Sequence, residues 1–233
     1  MCSIETPHLH ELSVRLSVSS FLPLYGETAQ EPSTEGCARQ TALLARQNVP
    51  MDDATLRGQL LIASPALLDP NFHRTVVLVA EHGDGGAMGV ILNRPSDAVA
   101  AEVVPALAEV VESETVVFAG GPVEPQAVIV LAEFDDPEDA AAVVFSDIGF
   151  VRADADPLLL AASTRRARLF AGYAGWGPGQ LETELQEEAW ITESPVAQDV
   201  FCEAADDLWS DVLRRKGGRF AFVATMPPDP SLN

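Results

Sequence analysis

The strongest constraint on the fold is a series of short β-branched runs punctuated by Gly and Pro. Gln59–Ala63 (QLLIA) reads as a buried strand, Thr75–Ala80 (TVVLVA) as a second and Met88–Leu92 (MGVIL) as a third. Glu81–Ala87 (EHGDGGA) joins the last two and suits a hairpin. Further extended runs are predicted at Thr115–Ala119, Ala127–Ala132, Val143–Phe145, Ile148–Val151, Arg168–Tyr173 and Arg219–Ala224. Helical spacing appears in four places: Asp97–Val111 with Ser96 or Asp97 as N-cap and a kink at Pro105; Asp156–Thr164 with Pro157 at its first position; Pro178–Glu188; and Gln198–Lys216, stopped by Gly217-Gly218. Strands and helices alternate without a βαβ beat, which predicts an α+β fold rather than a doubly wound parallel sheet.

The first 50 residues differ. They are rich in Ser, Thr, Pro and Gln and hold no sustained period beyond a thin-faced helical stretch at Cys37–Gln47. Glu5 and Glu11 precede Arg15, and Pro23 interrupts the apolar stretch, which argues against a secretory signal. Two readings stay open: a disordered extension on a domain spanning 51–233, or a true start at Met51.

Charge excludes several functions. The chain has 35 acids against 14 bases, a net charge of −21, and Lys216 as its single lysine. From residue 51 onward the count is 11 bases to 30 acids, with basic clusters only at Arg165, Arg166 and Arg168 and at Arg214, Arg215, Lys216 and Arg219. Such a surface disfavours nucleic acid and an anionic membrane as partners. No apolar run approaches the ~20 residues of a membrane-spanning helix. Cys2, Cys37 and Cys202 form no Cys-x-x-Cys pair, which points to a reducing cytoplasm, and the four histidines are not spaced as zinc ligands. No cofactor and no metal ion are expected.

Five blocks stand out: GQLLIASPALLDPNFHRTVVLVAEH, GAMGVILNRP, VFAGGPV, GYAGWGPGQLETEL and the closing DPSLN. Together, in this order and spacing, they resemble the YqgE/AlgH family of bacterial proteins, over Leu56–Asn233. The resemblance implies an α+β fold whose strongly bent, mostly antiparallel sheet curls into a pseudo-barrel flanked by helices. It implies no established reaction. The AlgH name carries a link to transcriptional regulation of exopolysaccharide synthesis.

Each chemical motif has a plainer competitor. The Gly83–Gly89 run precedes a strand rather than a helix, so it is no dinucleotide fingerprint. Gly172–Gln180 runs from a strand into a helix start, where amide groups can hold an anion. Glu182 and Glu184 already complement that dipole, however. The plainer reading is close backbone packing around Trp176; the functional one is a ligand loop with Tyr173, Trp176 and Gln180 facing a groove. His82 with Glu81 is a candidate acid–base pair, but no Gly-x-Ser-x-Gly nucleophile accompanies it, and the Glu182/Glu184 and Glu187/Glu188 pairs read as a solvated acidic face. Cys202 reads as a buried, inert thiol.

Arg74 and Arg94 are predicted at the open end of the hairpin, with Asp69 as the nearest carboxylate by sequence. Either the three fix loop geometry, or Asn93 and Arg94 receive an anionic group together with the Gly120-Gly121-Pro122 turn. The leading reading is a non-enzymatic binding or regulatory protein whose partner is a small molecule or a protein. The alternatives are an enzyme using His82 and Glu81, and a regulator acting directly on DNA. Oligomeric state is left open by the residues.

Deleting residues 1–50 is expected to leave the melting temperature of 51–233 nearly unchanged. A fall of roughly ten degrees in a thermal melt, about 2.5–5 kcal/mol for a domain this size, places them in the core instead.

Overall fold

A computed structural model describes residues 55–104 and 115–227. The predicted extension, Pro105 and the closing DPSLN lie outside these residues. In chain order the strands are β1 (Leu60–Ala63), β2 (Val76–Gly83), β3 (Gly86–Ile91), β4 (Pro95–Val99), β5 (Val116–Ala119), β6 (Val123–Phe134), β7 (Ala142–Phe145), β8 (Ile148–Phe150), β9 (Thr164–Trp176) and β10 (Trp190–Glu193). The helices are α1 (Ala100–Val103), α2 (Pro157–Ser163), α3 (Gln180–Gln186), α4 (Ala197–Val200), α5 (Leu208–Lys216) and α6 (Arg219–Val223).

The strands form one mostly antiparallel sheet in the order β10-β1-β2-β3-β9-β6-β8-β7. β5 joins β9 in parallel, and β4 pairs with β5. β2 and β3 make the predicted hairpin, but its turn is only Asp84-Gly85, and most of the Gly-rich connection is strand. The sheet bends until Val144 and Phe145 of β7 pack in the same apolar cluster as Leu60, Ile62 and Leu78 of β1 and β2. Arg57, just before β1, donates to the Val143 carbonyl of β7. The terminal strands β10 and β7 do not pair, so the curled sheet is not a closed barrel.

The inner face is capped by the C-terminal helices. Trp209 of α5 is 1% exposed and donates its indole N–H to the Ala63 carbonyl at 2.8 Å. Arg215 of α5 grips the buried Asp199 of α4 with two bonds of 2.7 Å. The same carboxylate accepts the Val196 N–H, closing the start of α4. Asp199 and Glu193 hold the Arg215 guanidinium above its usual range against the opposing effect of burial, hydrogen bonding to Asp199 being the largest cause.

Four elements differ from the sequence expectation. Pro95–Val99, expected to run into a helix, is a strand because Ser96 is not an N-cap. Its hydroxyl donates to Val117 O at 2.6 Å and accepts from Ala98 N, tying the segment to β5. The described part of the expected helix is the single turn α1. Arg219–Ala224, expected as a strand, is α6: Phe220, Val223 and Ala224 face the core at helical spacing, while Phe222 is exposed. The Gln198–Lys216 helix is broken at Cys202–Ala204, where Arg168 holds the Cys202 carbonyl. Strand β10 falls where no element was expected.

β9 is the spine of the sheet. One edge pairs with β6 over most of its length; the other is shared by β3, at Ala174–Trp176, and β5, at Phe170–Ala171. Gly120 sits at that fork, taking Ile91 N–H on its carbonyl and donating to Ala171 O, both at 2.8 Å. A methyl group on Gly120 would lie 2.2 Å from Gly172 O, and one on Gly121 would lie 2.1 Å from the Tyr173 carbonyl carbon. Gly172 itself has φ +71°. Gly120→Ala is therefore expected to destabilise the fold by at least about 3 kcal/mol in urea unfolding, because backbone rather than a side chain must give way. A change below ~1 kcal/mol contradicts this packing.

Candidate functional site

Arg74, Asn93 and Arg94 meet at the open end of the β2–β3 hairpin. The buried Asn93 replaces a rung of the ladder: its Oδ1 accepts Val76 N–H and its Nδ2 donates to Arg74 O, each at 2.9 Å. Arg74 has φ +54°, a left-handed conformation that turns its carbonyl toward Asn93. Its guanidinium carbon lies 3.9 Å from the Trp209 ring centre, and Nη1 donates to Met226 O. Arg94 donates to His73 O. Asp69 pairs with neither arginine: its carboxylate accepts Asn71 N–H in an Asx turn. The acid whose charge faces Arg94 is Asp206.

Gly120 and Gly121 are pressed against β9 backbone and form no open cradle. Tyr173 and Trp176 are both buried and do not share a face. Strand alternation puts Tyr173 in the inner cluster and Trp176, with Ala174, in an outer one. Burial is the main cause pushing the Tyr173 hydroxyl pKa up.

Around Trp176 the motif closes on itself. Trp176, Trp190 and Phe72 pack with ring centres 5.6–6.3 Å apart. Both indoles donate to Glu184 Oε2, at 3.0 and 2.7 Å, and Gln180 Nε2 donates to Glu184 Oε1 at 2.9 Å. Gln180 Oε1 accepts Gly177 N–H, so Gln180 ties the loop to α3 rather than facing a ligand. Sequence reasoning placed Glu184 on a solvated acidic face; its i, i+4 spacing from Gln180 was the available signal.

His82 is held from both sides. Nδ1 accepts the Leu56 N–H at 3.1 Å, and Nε2 bonds Glu182 Oε1 at 2.8 Å. Nδ1 is thus the acceptor and Nε2 carries the proton. The partner is Glu182 of α3, not Glu81, which is exposed on the neighbouring position of the strand. The Glu182 carboxyl lies below its usual range, first through its own backbone hydrogen bond and then through His82.

Arg168 was legible only as part of a basic cluster. Its guanidinium carbon stands 4.1 Å over Phe118, Nη2 donates to Cys202 O at 2.7 Å, and Nη1 is buried with no hydrogen-bond partner among the described residues. Burial lowers its pKa. Burial also raises the Cys202 thiol, which Arg168 only partly offsets. The rest of both basic clusters is largely neutralised: Arg165 by Glu133, Asp135 and Asp147, Arg166 by Glu133, Arg214 by Asp211, Arg215 by Asp199 and Lys216 by Glu193. Among the described residues, no cluster of three or more His, Cys, Asp or Glu side chains is arranged to hold a metal, and no helix is long and apolar enough to cross a membrane.

Residues 60–221 match the family model described as AlgH-like. A UPF0301 protein of Thermobifida fusca is 46% identical over 194 residues, covering 78% of this chain and 98% of its own length. A UPF0301 protein of Mycobacterium tuberculosis is 41% identical over 181 residues, covering 76% and 90%. A crystal structure of a Corynebacterium diphtheriae protein superposes with a TM-score of 0.67 at 30% identity, covering 72% of this chain and 91% of that one. The solution structure of the AlgH protein from Pseudomonas aeruginosa gives 0.58 at 29%, covering 75% and 96%.

The Glu184 network makes a separable prediction. Glu184→Ala leaves two buried indole N–H groups without an acceptor and is expected to cost about 2–4 kcal/mol, read by tryptophan fluorescence in urea. Glu184→Gln keeps an acceptor oxygen and is expected to cost about half as much. Equal losses in the two variants contradict the assignment.

Proposed function

We propose a function from the premise that this chain belongs to the AlgH-like family: it is a non-enzymatic, cytoplasmic regulatory protein that acts by binding a small molecule or a protein. The single observation that carries this reading is the state of His82. A general base needs a free lone pair facing a substrate proton. The Nδ1 lone pair of His82 is taken by Leu56 N–H, and Nε2 is engaged by Glu182. The Gly172–Gln180 motif is likewise spent on internal bonds through Gln180 and Glu184. Among the described residues, the buried side-chain atoms left without a hydrogen-bond partner are Arg168 Nη1, a donor, and the Ser64 hydroxyl, which both donates and accepts. Neither is paired with a base, which suits recognition of a ligand better than proton transfer.

The alternative with His82 as the base has its carboxylate in Glu182 rather than Glu81, and among the described residues no Ser, Thr or Cys side chain bonds its ring. Direct DNA binding is disfavoured by the acidic excess and by the carboxylates on Arg165, Arg166, Arg214, Arg215 and Lys216. A gel shift that stays empty at low salt is the expected result for DNA.

Incubating the full-length protein with a metabolite extract separates binding from catalysis. The expected result by mass spectrometry is retention of a ligand in at most molar equivalence to the protein. Consumption of any metabolite in large molar excess over the protein, abolished in His82→Ala, overturns the reading.

A further inference from the structure

Residues 55–58, just before β1, strap the end of β2 to β7. Gly58 N–H donates to Val79 O at 2.8 Å, and the Arg57 guanidinium donates to Val143 O at 2.5 Å. Leu56 N–H donates to His82 Nδ1 at 3.1 Å, and the Thr55 hydroxyl reaches His82 O at 3.4 Å. The Leu56 side chain packs in the outer cluster with Trp176, Leu181 and Trp190. Strand pairing does not close the curled sheet, so this strap is one of its cross-links. One of its bonds, that of Leu56, ends on an acceptor that titrates.

The Nδ1 lone pair can hold the Leu56 N–H or a proton, not both. The His82 side chain is 7% exposed, so the ring has little room to swing away from the strap. Among the described residues the charged group on the ring is Glu182 of α3, whose carboxylate gives the protonated ring a partner at Nε2. On the hairpin itself Glu81 and Asp84 are exposed, and β3 sets the uncharged Ala87 opposite His82. In the strap, Arg57 is committed to Val143 O. We propose that His82 is an acid-operated latch: a second proton, taken at Nδ1, expels the Leu56 N–H while Nε2–H stays on Glu182. One proton moves from solvent to the ring and one hydrogen bond breaks. Thr55 leaves with Leu56, the hydrogen-bonded hold on the chain then begins at Arg57, and the outer cluster loses part of its cover. Nδ1 faces backbone rather than a substrate, so the proton it takes serves the strap and not a reaction.

The test is amide exchange of the full-length, ¹⁵N-labelled protein, followed by NMR from about pH 8 to about pH 5, the span in which imidazoles titrate. Gly58 N–H is the internal reference: its acceptor, Val79 O, does not titrate, so the ratio to Gly58 cancels the intrinsic pH dependence of exchange. The Leu56-to-Gly58 exchange ratio is expected to rise at least about tenfold on acidification, with the midpoint of the His82 ring-proton signals. His82→Gln retains an amide that can accept from Leu56 and donate to Glu182 but takes no proton, so its ratio is expected to stay flat. A constant ratio while His82 of the unaltered protein titrates, or a His82 ring that takes no proton by about pH 5, overturns the latch. A ratio that still depends on pH in His82→Gln overturns it as well. The unaltered protein decides the matter alone if the variant does not fold.

Discussion

The architecture depends on a contact between two stretches of bare backbone. Gly120 and Gly121 lie against Gly172 and Tyr173 at distances that exclude any side chain. This contact lets the outer edge of β9 be divided between β3 and β5, because Gly120 bonds Ile91 on one side and Ala171 on the other. Without the fork, β5 has no place in the sheet, and β4, which among the described residues pairs with β5 alone, has none either. The hairpin end that carries Asn93 and Arg94 is held by the same arrangement, since Arg94 O accepts from Ala119 N. The conformational entropy that glycine loses here is offset by a backbone approach that no other residue permits.

A second constraint is electrostatic. With a net charge of −21, self-repulsion opposes a compact state, and each arginine is valuable as a counter-charge. The outer arginines serve that purpose: Arg165 gathers Glu133, Asp135 and Asp147 from three neighbouring segments. The inner row does not. Arg74, Arg94 and Arg168 satisfy themselves on carbonyls and aromatic rings, each partly desolvated. Arg168 and Arg74 therefore hold the Cys202–Trp209 stretch by a bond to Cys202 O and by stacking on Trp209 rather than by ion pairing.

Much of the fold was legible because its signals are local. The β-branched runs of β1, β2, β3 and β5 and the Asp156-Pro157 start of α2 depend on their own residues, and each formed where expected. The misread elements are those decided by distant partners. Ser96 resembles an N-cap until Val117 O is in reach. Phe220 and Phe222 alternate like a strand, and only the core beneath Phe220, Val223 and Ala224 selects the helix. Strand β9 was read from Arg168, yet it starts at Thr164, because the TRRAR segment has no apolar alternation; opposite charges on β6 take its place, as Glu133 pairs with Arg166. The candidate site shows the same division. Arg74, Asn93 and Arg94 were placed together by hairpin register alone. Arg168 joins their neighbourhood only through the fork and the broken helix, two tertiary facts that no local pattern encodes.

This division bears on what the motif blocks are for. Gly120-Gly121 and Gly172 are architecture, and Trp176, Gln180 and Glu184 are a closed hydrogen-bonded unit, so the most distinctive strings in the chain are accounted for by folding alone. A sequence motif marks a site only where its polar groups retain capacity after the fold is satisfied. His82 retains none, because a backbone N–H and a carboxylate already occupy its nitrogens. Arg168 retains a buried donor and sits in a block that drew attention only as a weak basic cluster. Conspicuous glycine-rich strings are therefore explained here by backbone packing before any chemistry is asked of them.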